Sequence, residues 1–150
     1  MSESPHPEAS ADLSARLEAL GLVLGSREAE HAAAFGAARA RIQWLHARVA
    51  EAVERFHAAV RAAGAPHLCV ELTEIRVDDK HLRALEFDLV RGRHKAVVTA
   101  RSRGDVTLVG PFGAGKAEGP CRSFAADATE ELESALADFL ERFLEEAAAP

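Results

Sequence analysis

"FGAARARIQWLHARVAEAVERFHAAV", residues 35–60, decides how this chain folds. Phe35, Ala38, Ile42, Leu45, Val49, Ala52, Phe56 and Ala59 recur at alternating spacings of three and four, which puts them on one side of a helix. Val53 and Val60 widen that stripe beyond the narrow seam of a coiled coil. Ser26 is placed to cap the helix, Gly64 suits the left-handed position just past its end, and Pro66 follows. A helix from Ser26 to Ala63 is roughly 55 Å long at 1.5 Å per residue. A strand of ordinary length spans only about 17–20 Å. One small sheet cannot shield such a stripe, so the excess predicts a homodimer. Phe35, Ile42, Leu45, Val49 and Phe56 are its expected partner-binding residues.

Upstream, residues 1–10 hold two prolines and small polar residues and read as a disordered tail, leaving residues 11–150 as a single domain. Ser10 can cap a short first helix carrying Leu13, Leu17 and Leu20, with Gly21 placed to stop it.

Downstream the period changes from helical to two. "HLCVELTEIRV" (67–77), "LRALEFDLV" (82–90), "KAVVTAR" (95–101) and "DVTLVG" (105–110) each read as a strand. The links between them are short and polar, so an antiparallel meander is expected. Leu68, Val70 and Leu72 share a parity that Ile75 and Val77 do not, which calls for a bulge near Leu72–Glu74. Asp127, with Glu130 three residues on, reads as a capping box opening a last helix. Its apolar face is Leu132, Leu136, Phe139, Leu140, Phe143 and Leu144. The expected architecture is α+β: a four-stranded antiparallel meander with a long N-terminal and a C-terminal helix, in the order α-α-β-β-β-β-α.

Composition narrows the function. The 150 residues are 48% hydrophobic and 28% charged, a globular balance. No apolar run is long enough for a membrane span, and the N-terminus has no secretory signal pattern. Two cysteines are too few for a disulfide framework, which favours a reduced, cytoplasmic setting. Net charge is −6, with residues 127–150 alone carrying one basic and eight acidic groups. That balance argues against nucleic-acid binding, which needs a basic face.

"LVGPFGAGK" (108–116) has the G-x-x-x-x-G-K spacing of a phosphate-binding loop. The residue after Lys116 is Ala117, so the magnesium-holding hydroxyl is missing. Gly119 and Pro120 arrive before a helical turn could form, which removes the helix N-terminus such loops rely on. A connection between sheet and last helix is the favoured reading, pinned by Phe112, Cys121 and Phe124. Gly113, Gly115, Lys116 and Arg122 are candidates for holding an anionic ligand or nucleotide with the loop 110–122.

Other motifs fall short of chemistry. His46 and His57 share a helix face but lie roughly 16 Å apart along the axis, too far to share an ion. His67, Cys69 and Glu71 alternate along one expected strand face, without a further ligand pair. Cys121 next to Arg122 could favour thiolate, yet no histidine is named as its partner. Asp138, Glu141 and Glu145 lie along one side of the last helix and read as a solvated face. In "RGRHKAVVTARSR", Arg91, Arg93, Lys95, Arg101 and Arg103 read as the two ends of one hairpin, gathered at one sheet edge where charge blocks edge-to-edge pairing. No metal ligand set, cofactor or catalytic residue is expected. The reading is a cytoplasmic, non-enzymatic protein-binding module, an adaptor or acidic chaperone-like homodimer. The alternative is an anionic small-molecule or nucleotide-binding protein.

Overall fold

The computed structural model describes residues 7–77, 84–113 and 119–149. Helix α1 (Pro7–Ala62) leads through a 3₁₀ turn (Pro66–Leu68) into strands β1 (Glu71–Leu72), β2 (Arg76–Val77), β3 (Ala84–Arg91), β4 (His94–Arg101), β5 (Val106–Phe112) and β6 (Cys121–Phe124). Helix α2 (Thr129–Ala148) closes the chain. All pairings are antiparallel, in the order β1-β3-β4-β5-β6, with β2 also on β3. The α+β class holds, but the sheet has six strands rather than four. Contacts divide the chain into two units, Met1–Ala33 and Ala34–Pro150.

The first expected strand is two strands separated by a bulge. Leu72 pairs with Leu89 while Arg76 pairs with Glu86, so four residues on one strand match three on the other. Thr73 bridges the irregularity: its N–H donates to the Asp88 carbonyl (2.9 Å), and its hydroxyl accepts the Asp88 N–H (2.8 Å). The parity change between Leu72 and Ile75 has this physical basis. The pairing starts at Glu71, so His67 and Cys69 do not share a strand face with it.

β6 is the other addition, and it lies inside the glycine- and proline-rich stretch expected to be an irregular connection. The strand is only four residues long, with Pro120 before it, so it has no alternating apolar pattern to reveal it.

In the second unit, one face of the sheet carries Leu85, Phe87, Leu89, Ala96, Val98, Ala100, Val106 and Leu108, all buried. They form one core with Ile42, Leu45, Val49 and Val53 of α1 and with Leu132, Leu136, Phe139 and Phe143 of α2. This arrangement answers the length mismatch. The fully covered stretch Ala38–Val53 is roughly 22 Å of helix, comparable to about 26 Å for the eight-residue strands. Both the sheet and α2 cover it, and Arg48 ties the helices at 3.4 Å from Glu133.

The helix ends as expected at its C-terminus. Gly64 takes φ 79°, its N–H bonds to Arg61 O, and Ala65 N–H bonds to Val60 O, which together satisfy the last carbonyls. At the N-terminal side the two expected helices are one. Gly21 does not adopt positive φ, so it cannot end a helix, and Ser26 lies within α1 rather than capping it. Pro7–Ser10 are helical, whereas residues 1–6 of the expected tail lie outside the described residues. The capping box is also corrected. A turn closed by Ala128 N–H to Ala125 O holds Asp127 ahead of the helix, and Ala128 takes the cap position with no side-chain bond.

Candidate functional site

Arg122 is the one charged residue of the expected ligand loop that is described; Lys116 and Gly115 lie outside the described residues. β6 begins five residues after Lys116, which leaves no room for the helix of a phosphate-binding loop. The base of the loop is closed by Gly110 N–H to Pro120 O (2.7 Å). Phe112 packs so closely on Gly119 that a Cβ there would come within 2.9 Å of the Phe112 Cβ. Gly113 is half-buried with open space around it.

Arg122 faces the helix layer, because it pairs with the buried Leu108. Its guanidinium lies 4.8 Å from the centre of the Phe124 ring. Between β6 and α2 runs a trough with a hollow of about 230 Å³, floored by Leu108, Ala135 and Phe139 and walled by Arg122, Asp138 and Arg142. Towards the start of α2 the trough continues past Ser134 to Glu130 and Glu131. Cys121 is exposed at the hollow, and among the described residues no histidine lines it.

The opposite sheet face carries a charged network. Asp88, nearly buried, is bridged by Arg76 (2.8 Å) and Lys95 (3.3 Å), and Arg76 also holds Glu86 (2.8 Å). The hydrogen bond to Asp88, opposed by burial and aided by the charges of Asp88 and Glu86, raises the Arg76 pKa. Both Asp88 carboxylate oxygens are engaged, so the network staples β2 to β3 rather than offering a general base.

The expected basic cluster is not one site. "RGRHKAVVTARSR" comprises the β3–β4 turn, the whole of β4, and the β4–β5 turn. Lys95 and Arg101 are thus roughly 20 Å apart along one strand. Arg91 donates to His67 O (3.0 Å) and to Ala147 O, while Arg103 pairs with Asp105 at 2.6 Å.

His46 and His57 are structural. His57 Nε2 accepts the Val70 N–H (3.0 Å), and His46 Nε2 bonds to Thr73 O (2.9 Å), so both fix the first strand segment to α1. Among the described residues no three His, Cys, Asp or Glu side chains are grouped to hold a metal ion. Asp138 lines the trough, whereas Glu141 and Glu145 are simply exposed.

Of the expected partner-binding residues, Ile42, Leu45 and Val49 are fully buried in the chain's own core, and Phe35 and Phe56 are half-buried. Ile42, Leu45 and Val49 are therefore not a free surface. Apart from Trp44 and Val77, the large apolar side chains left exposed among the described residues lie in the first unit. Leu13, Leu17, Leu20, Leu22, Val23 and Leu24 are each between 48% and 73% exposed. Leu13, Leu17, Leu20 and Leu24 are spaced four, three and four, one stripe of a helix. Gly21 and Gly25 flank it, and a Cβ at either would meet nothing within 4 Å. Glycine inside a helix costs about 1 kcal/mol relative to alanine, and among the described residues no atom stands close enough to either position to require it. The leucine spacing is visible in the sequence, but an assumed break at Gly21 hides its continuation to Leu24. Compared with protein-family models, curated proteins and solved structures, the chain matches none of them.

Proposed function

We propose that the protein is a non-enzymatic binding module that works as a homodimer, its two copies joined through residues 13–24. The observation that carries this reading is the run of exposed apolar side chains from Leu13 to Leu24. Water-exposed leucines at helical spacing are stabilised by burial against another helix. The alternation of four and three is the spacing by which identical helices interlock. Gly21 and Gly25 beside the stripe would let the two backbones approach closely. Charge opposes self-pairing little, since residues 13–24 carry one cation, Arg16, and one carboxylate, Glu18, and Arg16 lies 4.0 Å from the preceding Asp12. The core-facing stripe from Ala38 to Val53 has no part in the contact. A reducing, cytoplasmic setting belongs to the same reading and suits two free cysteines.

Hydrogen exchange at two protein concentrations tests it. The amides of residues 13–24 should become more protected as concentration rises, while those of β3 and β4 stay unchanged. Exchange in 13–24 independent of concentration would reject pairing there.

A second reading is favoured by Arg122 and Arg142, two cations walling one hollow beside the glycine loop. An anionic small molecule would then sit between β6 and α2, with Lys116 as a further cation of that loop. Thermal melts with ATP, GTP and inorganic phosphate should shift upward by mass action, and Arg122→Ala should abolish the shift. No shift at millimolar ligand would dismiss this reading for those compounds.

A further inference from the structure

We propose that the trough between β6 and α2 receives an extended peptide segment of another protein, added as a strand to β6 and carrying a basic side chain towards α2. This deepens the binding-module reading without depending on pairing through residues 13–24.

Among the described residues β6 is the last strand of the sheet, joined only to β5. The bond from Gly110 N–H to Pro120 O fixes which backbone groups point which way. In an antiparallel ladder hydrogen-bonded pairs alternate. With Gly110 and Pro120 bonded, Arg122 and Phe124 direct their backbone groups at Leu108 and Val106. Cys121 and Ser123 therefore turn theirs to the open edge. Among the described residues nothing takes up these four backbone donors and acceptors, and the helix beside them gives an added strand's side chains a wall to meet. Strand addition next to a helix is an established mode of peptide recognition. The wall from Glu130 to Arg142 is roughly 18 Å long, enough for about five extended residues.

Charge selects the occupant. A second copy of β6, paired in full register, would set Arg122 directly opposite its own counterpart, and like charges so placed are destabilising. The two acidic α2 helices would also be drawn together. At the end of the trough towards the start of α2, apart from the hollow beside Arg142, the carboxylates of Glu130, Glu131 and Asp138 outnumber the one cation there, Arg122. Arg142 is already 3.3 Å from Glu146, and Arg122 rests on the Phe124 ring. A lysine or arginine entering from the edge at that end would find those carboxylates, while its aliphatic stem would lie along Ala135.

The test uses capped hexapeptides alternating valine with lysine, with glutamate, or with serine, titrated into the isotope-labelled full chain and followed by amide NMR. Wild type and Leu17→Glu are measured side by side, so that failure of the groove and failure of pairing are read separately. The lysine peptide should shift the amides of Cys121, Ser123, Ala135 and Asp138. It should bind roughly tenfold more tightly than the glutamate peptide, as several exposed ion pairs of modest individual worth allow. Asp138→Asn should weaken the lysine peptide and leave the serine peptide unchanged. Equal affinity for the lysine and glutamate peptides, or no shift at Cys121 and Ser123 with any peptide at millimolar concentration, would overturn the proposal. So would shifts at Cys121 and Ser123 that follow protein concentration without peptide, which would mean that a second copy occupies the edge.

Discussion

Replacing Leu17 by glutamate puts the pairing through residues 13–24 under direct strain. Leu17 is 59% exposed, so pairing can bury only about six-tenths of its surface. Full burial of a leucine is worth about 1.5–3 kcal/mol, so the loss is about 0.9–1.8 kcal/mol per chain. A two-fold contact contains the residue twice, which makes about 2–4 kcal/mol for the dimer. The dissociation constant should therefore rise roughly 30- to 700-fold. A charge buried opposite its own copy would add to that. Glutamate is a good helix former, so the separated chain should keep its helix content. Sedimentation velocity over a dilution series measures the constant, and circular dichroism checks the helix. A dimer with an unchanged constant would refute the reasoning. A variant that loses helix as a monomer would refute it differently, by showing that Leu17 serves its own chain.

Gly21→Ala with Gly25→Ala separates a helix in water from a helix at close contact. In a lone chain the pair should raise helicity, at about 1 kcal/mol each, whereas in the proposed dimer it should weaken association, measured by the same dilution series. Asp88→Asn should destabilise folding by about 1–3 kcal/mol in urea, less than for a fully buried pair because Arg76 and Lys95 can reach water. Gly104 has φ 99° and lies where a Cβ would come 2.8 Å from that of Ala126, so Gly104→Ala should lower the melting temperature by several degrees.

Periodicity made most of the second unit legible. The alternation of Leu85, Phe87 and Leu89 identifies a strand with one buried side, and Gly64 with Pro66 marks the helix end because only that backbone satisfies the last carbonyls. The broken parity after Leu72 locates a bulge because a strand cannot change faces otherwise. β6 was not legible: four residues with one buried side chain carry too little pattern, and the strand exists because β5 offers it an edge. Asp127 misled because a local cap motif yields to the turn that brings the chain off the sheet. The arginine cluster misled because a single long strand separates charges that a hairpin would have joined.

The candidate sites were legible only in part. Arg122 was singled out for its place beside the glycine loop, but its relation to Asp138 and Arg142 depends on α2 folding back over the sheet. The expected uncovered stripe is largely buried, and the exposed leucines of α1 lie nearer its N-terminus, from Leu13 to Leu24. Length alone cannot say which end of a stripe is covered; that depends on where the sheet and α2 meet the helix.

Sedimentation equilibrium of the unmodified protein at micromolar concentrations tests the central claim most directly. Pairing through Leu13–Leu24 requires a mass tending to twice the 16.0 kDa of one chain as concentration rises. A mass that stays at 16.0 kDa throughout would contradict it.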